Sequence, residues 1–321
     1  MLKIGNLKLE SNLILAPMAG VTDLPFRMLC RRFGAEMAFV EMINCRSVSH
    51  KSRKTRHMLS TALHDRPLGV QILGCEERYI LKALEVLSTC KFDILDFNAA
   101  CPAKKVARRG EGAALLKEPK KLSRILKLAV KNSKIPVTVK MRLGWDRDSV
   151  NAAEIALYAQ DAGVSGLFIH GRTKAQGYGG SVDYKAIAKV KKALEIPVIA
   201  SGDVFSAQLA KKMIDETNCD GLVVARGSFG NPWIFKEIKH FLKTGKVLAK
   251  PARAEIIKVM LEHLGASIAF YEERNGVILF RKFFSWYTRG IRNIRPLREK
   301  SSRAKTREEM IGLIDLLQDN L

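Results

Sequence analysis

Ile94-Leu95-Asp96-Phe97-Asn98-Ala99-Ala100-Cys101-Pro102 is the stretch on which the reading of this chain turns. A short apolar run gives way to an amide, two alanines, a thiol and a proline. Proline cannot donate to a sheet ladder, so it ends the strand. Cys101 therefore stands on a loop leaving a buried strand. Unpaired cysteines usually serve as small buried hydrophobes. On the loop after a buried strand, a thiol is instead placed to act as proton donor or nucleophile.

Seven further apolar or β-branched runs share this form, at 13–16, 37–40, 68–73, 137–141, 166–169, 197–200 and 220–225. Amphipathic helical patterns lie between them, at 77–89, 121–131, 152–161, 184–194 and 207–215. Strands this apolar, each followed by a helix, predict a parallel sheet covered on its outside. Closed on itself, the sheet is a TIM (β/α)8 barrel of the α/β class. An open doubly wound sheet fits less well, because no Gly-x-Gly-x-x-Gly follows the first strand. The strand pattern stops near Leu248, and segments 252–273, 277–291 and 303–317 predict an α-helical domain. The expected division is 1–245 for the barrel and 246–321 for the helices.

The six cysteines are scattered and form no Cys-x-x-Cys pair, and the histidines lack ligand spacing. Neither a disulfide framework nor a metal site is expected. Met1-Leu2-Lys3-Ile4 leads directly into structure, and no apolar run approaches the ~20 residues that span a bilayer. A cytoplasmic protein without membrane association is expected, and a monomer is the simplest state. The net charge of +23 exceeds what solubility requires and points to a polyanionic partner. Its basic residues gather at Arg46, Lys51, Arg53, Lys54 and Arg56, at Lys104, Lys105, Arg108 and Arg109, and between Arg281 and Arg307. The second group borders Cys101, which favours an anionic macromolecule as substrate.

Barrel active sites are built where the strands end. Polar residues follow strand after strand here: Pro17-Met18-Ala19-Gly20, Glu41, Gln71, Asn98 with Cys101, Lys140 with Arg142, His170 with Arg172, Ser201-Gly202-Asp203 and Ala225-Arg226-Gly227. The last two turns suit a phosphate, since small residues let backbone amides approach and Arg226 adds charge. Pro17 to Ala19 offer backbone against a flat ring, and Gln71 can both donate and accept. Lys140 would place a cation beside an electron-rich ring edge. His170 reads equally as a hydrogen bonder on the phosphate side or as a structural histidine. The constellation suits FMN.

In Leu15-Ala16-Pro17-Met18-Ala19-Gly20-Val21-Thr22-Asp23, Asn98 to Lys105, Val139 to Trp145, Ile169 to Thr173 and Gly230 to Phe235, the chain resembles the tRNA-dihydrouridine synthases, most closely their B-type bacterial branch. The resemblance implies an FMN-bearing barrel, a helical tRNA-binding domain, NADPH as reductant, and uridines of the tRNA D-loop as substrate. It implies FMN contacts from Pro17, Met18, Ala19, Gln71, Lys140, His170, Ser201, Gly202, Asp203, Ala225 and Arg226. Cys101 matches the family's catalytic acid, and Asn98, Arg142 and Arg172 match positions facing uracil. Ser201 stands where the family commonly has Asn, Ala225 where it has Gly, and Ala99-Ala100 where Met-Gly is frequent. The expected chemistry is hydride transfer to C6 of uracil and proton transfer from Cys101 to C5. The alternatives are an FMN barrel acting on a small pyrimidine or enone, and a non-catalytic RNA-binding barrel.

Overall fold

The computed structural model describes residues 1–49 and 53–319; Lys51 lies outside them, as do the side chains of Arg53 and Lys54. The strands are β1 (Leu2–Ile4), β2 (Leu7–Leu9), β3 (Leu13–Leu15), β4 (Met37–Phe39), β5 (Ile43–Asn44), β6 (Leu68–Leu73), β7 (Ile94–Ala99), β8 (Val137–Arg142), β9 (Gly166–His170), β10 (Val198–Ser201) and β11 (Gly221–Val224). Around the barrel run α1 (Leu24–Arg32), α2 (Cys45–Ser49), α3 (Arg53–Met58), α4 (Glu77–Leu87), α5 (Lys104–Ala107), α6 (Pro119–Asn132), α7 (Ala152–Asp161), α8 (Tyr184–Ala193), α9 (Ala207–Thr217) and α10 (Ile234–Thr244). The chain continues through α11 (Arg253–Tyr271), α12 (Glu273–Tyr287), α13 (Arg295–Ser301) and α14 (Arg307–Asp319).

Strands β3, β4, β6, β7, β8, β9, β10 and β11 pair in parallel, and β11 pairs back to β3 to close the ring. The TIM barrel expected from the eight apolar runs is present. β5 extends the upper end of β6, and β1 with β2 forms an antiparallel hairpin.

A two-residue period divides the strands between two cores. Leu95 and Phe97, Val137, Val139 and Met141, and Val198 and Ala200 face the surrounding helices. Ile14, Met37, Phe39, Ile94, Phe168, Ile199 and Val223 face inward, joined by Leu2, Ile4 and Leu9 of the hairpin. Toward the strands' C-terminal ends the inward positions turn polar: Gln71, Asp96, Asn98, Thr138, Lys140, Arg142, His170 and Ser201. β7 runs on through Ala99, so Asn98 belongs to the strand rather than to the loop after it.

The C-terminal helices differ from their sequence reading at two joints. α12 starts at Glu273, directly after α11, with Glu272 at φ +66° marking the break. The separate α13 precedes a last helix that begins at Arg307 rather than 303. The helical segment docks through rings: Phe26 of α1 packs against Phe283 at 5.2 Å and against His263 at 5.7 Å. Two residues one turn apart on α12 reach barrel loops. Lys282 donates to the Gly20 carbonyl, and Trp286 stacks on Phe229 at 4.0 Å with an interplanar angle of 11°.

Gly230 makes that second approach possible. Its φ is +68°, and a Cβ there would stand 2.3 Å from the Trp286 carbonyl carbon. Gly230→Ala should therefore destabilise the protein by about 2 kcal/mol or more, from overpacking plus left-handed strain. Urea denaturation with tryptophan fluorescence would measure it; an unchanged midpoint would show that this contact is soft.

Candidate active site

Strand register assembles the site. Gln71 lies opposite Asp96, Asp96 opposite Thr138, Asn98 opposite Lys140, Arg142 opposite His170, and His170 opposite Ser201. Gln71, Asn98, Lys140, Arg142, His170 and Ser201, with the loops above them, line a cavity of about 460 Å³ at the C-terminal mouth of the barrel, and Asp96 and Thr138 lie outside its lining. The predicted residues Pro17, Met18, Ala19, Gln71, Asn98, Cys101, Lys140, Arg142, His170, Ser201, Gly202, Asp203, Ala225 and Arg226 all line it.

Arg172 does not line the cavity. The residue is 1% exposed, its guanidinium donating from Nε to the Gly179 carbonyl at 2.9 Å and from Nη1 to Asp203 Oδ1 at 3.0 Å. Arg226 Nη2 donates to the same Asp203 oxygen at 2.9 Å. One carboxylate thus ties the loops after β9, β10 and β11 together.

The Cys101 turn is held from below. Asn98 Oδ1 accepts from the amides of Ala100 and Cys101, each at 2.9 Å, and Asn98 Nδ2 donates to Gln71 Oε1 at 2.7 Å. Gln71 Nε2 donates to Asp96 Oδ2 at 2.6 Å, while Thr138 Oγ1 donates to Asp96 Oδ1 at 2.7 Å. Arg142 spans the mouth, with Nε donating to the Ala100 carbonyl at 2.8 Å and Nη1 to the carbonyls of Thr173 and Gly177.

Burial governs the proton states. It pushes the Cys101 thiol above its ordinary range, so the sulfur keeps its proton at neutral pH. It also brings Lys140 down from 10.5 to about 8, although the Asp96 carboxylate opposes the shift. Lys140 Nζ donates to Ser201 Oγ at 3.1 Å, and Ser201 in turn donates to the Ile169 carbonyl at 3.0 Å. His170 falls to about 2 through burial and the neighbouring Arg142, Lys140, Arg172 and Arg226, which fixes it as neutral imidazole. Its Nε2 is buried without a hydrogen-bond partner. On the β11 side the chain turns tightly at Gly227, where a Cβ would stand 1.9 Å from the Val204 carbonyl oxygen.

Several lining residues escaped the sequence reading. Tyr178 lies under two guanidinium groups, Arg226 at 4.7 Å and Arg142 at 5.6 Å. Met42, Phe205 and Phe229 add apolar wall. The glycines at 177, 179 and 180 were the available signal for a loop folding over the mouth. For Asp96 the signal was a carboxylate at an inward position of an apolar strand.

Fold and site together define a (β/α)8-barrel enzyme with a polar-lined cavity at the C-terminal rim. A sequence model of the dihydrouridine synthase family matches residues 14–320, and the chain belongs to that family, a family of oxidoreductases. It is 42% identical over 294 residues to a probable tRNA-dihydrouridine synthase of Rickettsia bellii, covering 91% of this chain and 90% of that protein. It is 42% identical over 301 residues to tRNA-dihydrouridine synthase B of Pseudomonas aeruginosa, covering 94% and 91%. Among solved structures, an old yellow enzyme homologue from Zymomonas mobilis aligns with a TM-score of 0.57 at 13% identity, covering 79% of this chain and 94% of that one. Histamine dehydrogenase from Rhizobium aligns at 0.59 and 11% identity, covering 89% and 50%. These two likenesses show the fold.

The lowered Lys140 predicts a linkage. Between about pH 8 and 10.5 the unfolded chain binds more protons at this residue than the folded one, so its contribution to stability rises with pH across that window. Below about pH 8 the full penalty of the buried cation applies. Lys140→Met should therefore be more stable than the parent chain at pH 7, with the difference shrinking as pH climbs toward 10. Urea titrations of both proteins at the two ends of the window test this; a constant difference would remove Lys140 as its source.

Proposed function

We propose that this protein reduces uridines in the D-loop of tRNA to 5,6-dihydrouridine, using bound FMN that NADPH re-reduces. The observation carrying the proposal is the meeting, around one cavity, of a protonated Cys101 thiol with Lys140, Arg226 and a buried, unpartnered His170 Nε2, in a chain of the dihydrouridine synthase family. The relatives above bear the name tRNA-dihydrouridine synthase, which supports tRNA as substrate.

The residues fit a flavin nucleotide. The cavity volume falls in the range of cofactor sites. Ser201, Gly202, Asp203, Ala225 and Arg226 would hold the phosphate, with His170 Nε2 as a further polar contact. Pro17, Met18 and Ala19 would border the ring, Gln71 would meet its polar edge, and Lys140 would bring the cation that favours a reduced, anionic ring. When bound and reduced, the flavin supplies a hydride for C6 of uracil.

The chain supplies the rest. Cys101 Sγ holds the proton for C5, and burial keeps it there at neutral pH without placing charge in a pocket that receives a neutral base. Asn98 and Arg142 face the uracil side, Arg142 balancing charge that gathers on the carbonyl oxygens. Arg172 contributes by fixing Gly179, Gly180 and Asp203 rather than by touching the base. The target uridine must leave its stack to enter.

A second, wider cleft of about 1310 Å³ adjoins the cavity through Ala19 and Met42, and Arg56, His57, Phe270 and Tyr271 are among its lining, with the His57 ring stacked on Phe270 at 4.2 Å. It lies between residues assigned to the catalytic unit, 1–245, and to the tRNA-gripping unit, 246–321. The exposed Arg289, Arg292, Arg295, Arg303 and Arg307, with Lys104, Lys105, Arg108 and Arg109 beside the thiol, give the phosphate backbone its hold. Among the described residues no helix is long and apolar enough to cross a membrane.

The direct test is incubation of unmodified tRNA with the protein and NADPH, followed by mass spectrometry for a gain of two hydrogens in the D-loop. Equal turnover of free uridine would instead favour a small-molecule reductase, and colourless protein without recoverable flavin would end the proposal. Cys101→Ala should lower turnover by about 10² or more while flavin stays bound; normal turnover would remove the thiol from the chemistry. Affinity for tRNA should fall at least about tenfold between 50 and 200 mM salt. A flat response in a filter-binding series would contradict the backbone grip.

A further inference from the structure

Asp96 is a carboxylate in the middle of an apolar strand, 1% exposed, with neutral hydrogen-bond partners at both oxygens. Burying a carboxylate in this way is unfavourable, and an inward-facing apolar residue such as the neighbouring Ile94 would fit the strand. Register makes its contacts inevitable, since Gln71, Asp96 and Thr138 stand directly opposite one another across β6, β7 and β8.

The direction of the hydrogen bonds gives the carboxylate a purpose. Ionised, it can only accept, so Gln71 must present Nε2 to it. Gln71 Oε1 is then turned toward Asn98 and accepts from its Nδ2. That in turn leaves Asn98 Oδ1 for the Ala100 and Cys101 amides. Reversing any one amide would set donor against donor at the next link. We propose that Asp96 is a positioning residue that sets the polarity of a relay through Gln71 and Asn98, and so holds the Cys101 turn and fixes which atoms of Gln71 meet the bound ring.

Burial raises Asp96 to about 6, with Gln71, Thr138 and Lys140 pulling the other way, so at neutral pH the acceptor-only form dominates. The consequence for catalysis rests on the proposed reduction of uridine; the ordering of the turn does not. Asn at this position retains an acceptor for Gln71 and can donate to Thr138 Oγ1, so it preserves the relay, whereas Ala removes it.

The experiment is site-resolved alkylation of the full-length protein as purified, by iodoacetamide at fixed pH, alongside steady-state turnover of tRNA. In Asp96→Ala, Cys101 should be alkylated about fivefold faster, the factor for one lost neutral hydrogen bond, with Cys75 and Cys90 unchanged. Turnover should fall about tenfold with little change in KM for tRNA, the pattern of an interaction used in the transition state. Asp96→Asn should restore both. An unchanged Cys101 rate in Asp96→Ala, acceleration at all three cysteines alike, or failure of Asn to restore the rate overturns the proposal. If Asp96→Ala does not fold, Asp96→Val, which suits an apolar strand and likewise offers Gln71 no acceptor, should accelerate Cys101 by a similar factor; no acceleration overturns the proposal equally. A parent chain that leaves tRNA unreduced would refute the functional reading while the alkylation result stood by itself.

Discussion

The period of two in parallel strands is the constraint on which the molecule depends. One set of positions must be apolar to seat the helices, and Leu95, Phe97, Val137, Val139 and Met141 fill it. The other set faces the barrel axis and is free to change character along its length. Phe39, Ile94, Phe168 and Ile199 close the lower part as a dry floor. Above them Asp96, Asn98, Lys140, Arg142, His170 and Ser201 occupy the same inward face. Register then places these groups opposite one another without any loop having to carry them. The sheet thus fixes where their backbones stand.

Much of this was legible in the chain. Eight apolar runs gave the barrel because a buried parallel strand needs a run of apolar residues, and helical periodicity between the runs is equally local. The lining of the cavity was legible for a related reason: strand ends converge in this architecture, so residues such as Gln71, Lys140 and Arg226 could be grouped before their distances were known. What escaped depends on contacts across long separations. Arg172 follows a strand as the others do, yet Gly179, Gly180 and Asp203 take its donors. Tyr178 comes over the mouth beside Arg142 and Arg226, and Arg142 also donates to the carbonyl of the adjacent Gly177. Asn98 was read as following the strand because the apolar run ends at Phe97, whereas β7 continues through Ala99. The starts of α12 and α14 were missed because amphipathic pattern locates a helix better than it locates its ends.

Electrostatics in and beneath the cavity run against local comfort. A lysine, a carboxylate and a histidine are all displaced from their ordinary protonation ranges, and burial is the largest cause in each case. Clusters of this kind mark places where stability has been exchanged for chemistry. The thiol is the counterpart: burial favours its neutral form, which is the form a proton donor needs.

The reach of α12 into the barrel has an architectural consequence. Lys282 touches the loop after β3, and Trp286 the loop after β11, and these two strands are neighbours in the closed ring. The helix therefore sits across the seam where the first and last barrel strands meet, much as a keystone locks an arch. A chain severed after residue 245 would lose that lock. Grafting the tail of one relative onto the barrel of another would succeed only where the amine, the indole and their two seats travel together.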